Sequence, residues 1–218
     1  MDRGLSEPES PRNGGGILVV LSGPSGVGKG TVLGRAMSCR NPSAARLRRS
    51  ISVTTRGRRP DEREGRDYFF RTLQEFDLLV ADDELLEWAN YLDNRYGTPR
   101  RWVEEQLAAG QDVVLEIEVQ GARQVRERCP EAVLVYILPP SWRALRYRLA
   151  TRRSESEQLQ RRRVEVAKEE LEYLDRYHYA IVNDRVGRAA QKLLAILAAE
   201  HARVARRGAR RLIGSIRD

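Results

Sequence analysis

Residues 17–31, ILVVLSGPSGVGKGT, decide the fold: six residues without a charge, then a run of glycines around a single lysine, Lys29. A continuous apolar run is the pattern of a strand buried on both faces, as in parallel sheets, and the helical pattern that follows extends to about Arg40. Between the two, Gly23, Pro24, Ser25, Gly26, Val27, Gly28, Lys29, Gly30 and Thr31 form a loop whose backbone N–H groups can surround phosphate oxygens at a helix N-terminus. Lys29 then serves as the mobile charge that follows the β and γ phosphates of a donor nucleotide. The strict form of this pattern has Ser or Thr directly after the lysine. Here Gly30 stands there, so the usual hydroxyl ligand of magnesium is missing and Thr31 is the next hydroxyl along.

Outward from this loop, 218 residues suffice for one domain with an inserted lobe. The formal charge is +8 and 36 of the 39 basic residues are arginine, which suits polyanionic ligands held by forked guanidinium groups. Charge alone leaves nucleic acid open as a competing ligand, beside the plainer reading of an arginine-rich soluble enzyme. Cys39 and Cys129 form no CxxC motif, and His178 and His201 are far apart, so no structural zinc site is expected. No apolar run approaches bilayer length, and the start MDRGLSEPES is polar where a secretory signal would be basic and then hydrophobic. A cytoplasmic enzyme without a membrane partner is the expectation.

Residues 1–16 read as a flexible leader, rich in Ser, Glu, Pro and Gly. Residues 17–49 and 99–141 read as the core carrying the donor phosphate loop. Between them, residues 50–98 break the rhythm and read as an inserted lobe. Within it, ISVTT (51–55) and RDYFF (66–70) are short strands around a charged turn, followed by a helical pattern over FDLLVADDELLEWA (76–89). A helix is expected from Pro99 to a cap at Gly110, and strands over VVLEIEV (113–119) and AVLVYIL (132–138). After Pro140 a helix carries Arg143, Arg146 and Arg148 toward Arg152, and Ser154 and Glu157 have capping-box spacing. Residues 142–165 thus form a lid region. Residues 166–205 complete the core with a strand YAIVN (179–183) and a terminal helix. Residues 206–218 are a basic tail in which Arg206, Arg207, Arg210 and Arg211 read as the solvated end of a helix. The expected class is α/β: a P-loop parallel sheet flanked by helices, with a small inserted mixed α/β acceptor-binding lobe and a helical lid.

Two further groups of residues carry chemistry. Period-two spacing in VVLEIEV puts Glu116 and Glu118 on one strand face, placed to hold a water of magnesium or a polar edge of substrate. Arg56, Arg59, Tyr68 and Tyr96 supply two guanidinium groups and two phenols, a receptor for a terminal phosphate provided that they converge. Spacing alone leaves that convergence open.

Residues 17–200 resemble guanylate kinases. GPSGVGKGT, SISVTTRGRRPDEREGRDYFF, LLEWANYLDNRYGTP, VVLEIEVQGARQV and the late IVND occur in that family's order and near its spacing. The resemblance implies transfer of the γ-phosphoryl group of Mg-ATP to GMP, and to dGMP, giving ADP and GDP. It assigns the GMP phosphate to Arg56, Arg59, Tyr68 and Tyr96, the guanine to Ser52, Glu87 and Thr98, and a place beside GMP to Glu118. Arg148 and Arg152 match lid arginines and Arg163 a third beyond the turn, so that Lys29, Arg56, Arg148, Arg152 and Arg163 form the catalytic set. Asn183 matches the residue beside the donor adenine. Mg2+ is expected with no direct side-chain ligand, Thr31 and Glu116 acting through water.

The chain departs from the family's common residues at Gly30, Asp61, Glu116, Glu118, Thr151 and Arg153. The expected partners are ATP and GMP, with no specific nucleic acid, in a monomer or homodimer. Three rivals differ in what they need. A kinase for another nucleoside monophosphate has no use for Glu87 with Ser52, a binding module that lost catalysis has no use for the phosphate loop, and a nucleic-acid binder would use the arginine-rich C-terminal end.

Overall fold

The computed structural model describes residues 15–91, 93–150 and 157–207. In chain order the elements are β1 (Leu18–Ser22), α1 (Lys29–Met37), α2 (Pro42–Arg46), β2 (Leu47–Arg49), β3 (Val53–Thr54), β4 (Phe69–Phe70), α3 (Leu73–Ala81), β5 (Leu85–Tyr91) and β6 (Asn94–Pro99). They continue with α4 (Arg100–Ala108), β7 (Asp112–Glu116), α5 (Val119–Arg128), β8 (Val133–Leu138), α6 (Trp142–Ala150), α7 (Glu157–Leu171), β9 (Tyr179–Val182), α8 (Val186–Ala202) and α9 (Val204–Arg207).

The apolar run before the glycine loop is β1, the middle strand of a five-stranded parallel sheet of order β2-β7-β1-β8-β9. Its residues alternate between two cores. Val19 and Leu21 pack with Val32, Leu33 and Ala36 of α1 and Leu193 and Leu197 of α8. Leu18 and Val20 point the other way, to Val103 of α4 and Val125 of α5. Helices on both faces are why this strand has no polar face to present to water. At the base of the sheet the buried Asp112 carboxylate accepts from the Ile17 N–H at 2.8 Å and faces His201 Nε2, also at 2.8 Å, which fastens α8 to the strand ends.

The lobe has its own four-stranded sheet, order β4-β3-β6-β5, in which β6 runs antiparallel to β3 and β5. Thr72 and Glu75 form a reciprocal capping box that starts α3. The edge strand β5 lies against α5. Gln124 accepts from the Trp88 N–H at 3.2 Å and donates to the Trp88 carbonyl at 2.5 Å, while Arg128 Nη1 donates to the carbonyls of Leu85 and Leu86 at 3.0 and 3.2 Å.

Four sequence expectations need correction. The helical pattern over 76–89 ends at Ala81. Asp83 takes φ 53 in the turn, and Leu85–Tyr91 is a strand because it pairs antiparallel with β6, so tertiary pairing overrides a local spacing compatible with helix. The strand over 113–119 stops at Glu116, and Glu118 is the N-cap residue of α5, so the two carboxylates do not share a strand face. The first helix ends at Met37, short of Arg40. Arg206 is not a solvated helix end: its guanidinium meets the buried Glu200 carboxylate at 3.1 Å and donates to the Glu131 carbonyl at 2.5 Å. Arg152, Ser154, Thr151 and Arg153, with Arg210 and Arg211, lie outside the described residues.

Candidate active site

The loop Gly23–Thr31 joins β1 to α1. Gly28 is the N-cap residue of that helix at φ 94, a conformation costly for any residue with a Cβ. Two side chains from distant parts of the sequence hold the loop from behind. The Asn183 amide donates to the Val27 carbonyl at 2.8 Å, and Arg148 donates to the same carbonyl at 3.1 Å and to the Asn183 carbonyl at 3.0 Å. Asn183 is buried, so this grip lies out of competition with water. From α7, the buried Arg163 donates to Ser25 Oγ at 2.6 Å, with its guanidinium 6.0 Å from the Tyr91 ring. Lys29 Nζ donates to the Gly23 carbonyl and reaches Glu118 Oε1 at 3.5 Å.

The position after the lysine has a physical explanation. Arg49, at the end of β2, pairs with Glu116 at the end of β7. A Cβ on Gly30 would stand 2.6 Å from Arg49 Nη2 and 3.1 Å from Glu116 Oε2. The space that a serine side chain would take is therefore held by an ion pair. Thr31, on the first helical turn, is exposed.

The acceptor side is built on the small sheet. Glu87 of β5 lies opposite Thr98 of β6, whose hydroxyl donates to Glu87 Oε1 at 2.6 Å. Gly121 of α5 backs onto the same carboxylate, where a Cβ would collide with Oε2. Glu87 is 3% exposed, and burial pushes its pKa up to about 7 against the opposing pull of the Thr98 hydroxyl, with the Glu118 charge adding to the rise. An acid so placed is poised to accept from two adjacent N–H donors, which would restore the solvation it has lost.

Three of the four residues expected to receive a phosphate converge. The Arg56 guanidinium lies 5.4 Å from the Tyr68 ring centre, and the Tyr68 and Tyr96 rings are 6.0 Å apart. Arg59 is exposed in the same turn. Glu62, absent from the sequence expectations, organises that turn by accepting from Arg56 Nη2 at 2.6 Å and from the Arg59 N–H at 2.9 Å. The basic run followed by acids in RGRRPDE was the available signal. Ser52 lies half-buried just ahead of β3, and its carbonyl accepts from the Phe69 N–H at 2.9 Å. Gly121, Arg49 and Tyr91 were also missed, since each matters only through a neighbour distant in sequence.

Donor and acceptor sides meet at Glu118. It contacts Lys29 on one side and its charge reaches Glu87 on the other. The arrangement can hold two polyanions end to end, with arginines and a lysine around the junction and one buried acid set to read a polar ring edge.

A family model described as guanylate kinase matches residues 16–200. Curated guanylate kinases are similar along most of their length. That of Oceanobacillus iheyensis is 50% identical over 186 residues, covering 85% of this chain and 88% of its own, and that of Bacillus subtilis is 50% identical with 85% and 90% covered. Among solved structures, guanylate kinase from Anaplasma phagocytophilum superposes with a TM-score of 0.74 at 32% identity, covering 94% of this chain and 99% of that one.

Proposed function

The chain belongs to the guanylate kinase family, and from that premise we propose that it transfers the γ-phosphoryl group of Mg-ATP to GMP, and to dGMP, giving ADP and GDP by direct in-line transfer. Base choice rests on one observation, the buried Glu87 carboxylate held by Thr98 and backed by Gly121. Guanine offers N1–H and an exocyclic amine side by side, and adenine has no such edge. A base that leaves Glu87 unpaired forfeits about 1–3 kcal/mol or more, which supports strong discrimination. Ser52 completes the guanine-reading group.

The acceptor phosphate is already anionic at neutral pH, so no general base is required. Catalysis consists of aligning two polyanions and neutralising charge on the group in flight. Arg56, Arg59, Tyr68 and Tyr96 take the GMP phosphate. Gly23–Thr31 wraps the donor phosphates, with Lys29 following the moving group. Arg148 and Arg163 already touch the loop, and with Arg152 they bring positive charge from the lid as it closes and excludes water. Asn183 fixes the loop from the adenine side.

The donor set suits Mg2+, since the Glu116 carboxylate abuts the first turn of α1, where the Thr31 hydroxyl is exposed, and both are hard oxygen ligands. Glu116 and Thr31 would hold the ion through water. The ion supplies charge neutralisation at the β and γ phosphates.

No helix among the described residues is long and apolar enough to cross a membrane. The proposal includes a cytoplasmic enzyme acting as monomer or homodimer, with small nucleotides as its partners. A coupled assay with ATP and a panel of GMP, dGMP, AMP, CMP, UMP and dTMP tests it. GMP and dGMP are expected to be preferred by at least about 100-fold, and equal turnover of AMP would overturn the base assignment.

A further inference from the structure

A line of contacts crosses the site. The Arg56 guanidinium is 5.4 Å from the Tyr68 ring centre, the Tyr68 and Tyr96 rings are 6.0 Å apart, the Tyr96 and Tyr91 rings are 6.5 Å apart, and the Arg163 guanidinium is 6.0 Å from the Tyr91 ring. Arg163 then donates to Ser25 Oγ of the phosphate loop at 2.6 Å. The line starts at the group assigned to the acceptor phosphate and ends in the donor loop. Every member except Tyr91 already has a part in the proposed chemistry.

Strand pairing explains why Tyr91 stands between the two sides. Successive strand residues point to opposite faces, so Glu87, Ala89 and Tyr91 of β5 share one face. Residues directly opposite in an antiparallel pair share a face too, which puts Thr98 and Tyr96 of β6 on the same side. The Thr98–Glu87 hydrogen bond and the Tyr91–Tyr96 ring contact both lie there. Tyr91, the last residue of β5, is about 13 Å along the strand from Glu87 and beside Arg163 of α7. Its hydroxyl is buried and faces Ser25 without closing a hydrogen bond, so the ring is the working part. An aromatic face attracts a guanidinium, and the edge contact with Tyr96, at 71°, fixes the angle of that face.

We propose that Tyr91 is a positioning residue for phosphoryl transfer: its ring, held edge-on by Tyr96, seats the Arg163 guanidinium against the phosphate loop. The acceptor lobe thereby shares in setting where a lid charge stands. That charge counts most while the phosphoryl group moves, so its misplacement falls on kcat more than on KM.

The inference rests on Arg163 serving the phosphoryl group and Tyr96 the acceptor phosphate. Variants of the whole chain test it. Tyr91→Leu removes the aromatic face, and kcat with GMP is expected to fall about 10-fold while KM for GMP and for ATP each stay within about 3-fold. Tyr91→Phe keeps the ring and is expected to hold kcat within about 3-fold of the parent, with a Tm at least as high, since the hydroxyl it removes is buried and unbonded. Should the leucine variant fail to fold, Tyr91→Met, which fills the space with a flexible chain, takes its place with the same expectations.

A phenylalanine variant as slow as the leucine variant would put the role in the hydroxyl and overturn the proposal. A folded leucine variant with unchanged kcat does the same, as does a loss confined to KM for GMP, which belongs to pocket shape.

A double-mutant cycle on kcat separates positioning from a role in the fold. In an Arg163→Met background the leucine substitution is expected to cost less than about 3-fold, because the charge that Tyr91 places is gone. Equal losses in both backgrounds mean that Tyr91 does not act through Arg163, and the proposal fails. The cycle is read with whichever acceptor the parent phosphorylates, so a failure of the GMP assignment in the nucleotide panel leaves this test standing.

Discussion

The loop Gly23–Thr31 is nine consecutive residues that present their backbone at a helix start, whereas the proposed acceptor pocket gathers side chains from Ser52 to Glu118, on and between β3, β5 and β6, with Gly121 of α5 behind them. A backbone grip recognises phosphate and little else, since every nucleotide carries the same oxygens. A side-chain pocket discriminates, and because its key member is a buried acid, it also titrates. Removing a part of the donor side should therefore lower turnover for every acceptor alike. Changes on the acceptor side should alter which base is used and at what pH.

The largest effect that tests this contrast is Lys29→Ala, expected to lower kcat by about 1,000-fold for GMP and dGMP in equal measure. A change in acceptor preference instead would erase the division between the two sides. Next, Glu87→Gln is expected to lower kcat/KM for GMP by about 100-fold with KM for ATP within about 3-fold, measured by varying each nucleotide at saturation of the other. Losses of equal size for both nucleotides would assign Glu87 to the fold and not to the base.

The third effect concerns acidity. Guanine donors need Glu87 ionised, and burial has raised its pKa to about 7, so a proton must leave before GMP binds below that pH. KM for GMP should rise toward about 10-fold per pH unit as pH falls below 7, and Glu87→Gln should flatten the curve. KM for ATP should show no matching limb. The smallest effect belongs to Gly30→Ser, which displaces Arg49 from Glu116. A loss of about 3–10-fold in kcat/KM for ATP is expected, and it should shrink when combined with Arg49→Met in a double-mutant cycle. Strictly additive losses would mean that the arginine does not explain the glycine.

The parallel core was legible because its signals are local: an uninterrupted apolar strand, a glycine loop, then a helix. The place of the glycine loop between β1 and α1 came with it. The acceptor side was legible mainly through resemblance, because convergence of Arg56, Tyr68 and Tyr96 is a property of strand pairing, which spacing does not encode. The same cause lies behind the main error. Leu85–Tyr91 has a spacing compatible with helix and becomes a strand only because β6 lies beside it. Glu116 and Glu118 were separated for a simpler reason, a strand that ends between them.

The side chains of Gln124 and Arg128 that meet β5 have a consequence for life in a crowded cell. β5 is the outer strand of the lobe sheet, and an outer strand with open N–H and C=O groups is a template on which a neighbouring molecule can add a strand. Here Trp88 is bonded on both its amide and its carbonyl, and the carbonyls of Leu85 and Leu86 are capped by a guanidinium. The Leu85–Trp88 stretch of the strand that carries Glu87 is thereby closed to intermolecular pairing, so a second sheet is added to the core with much of its outer margin covered.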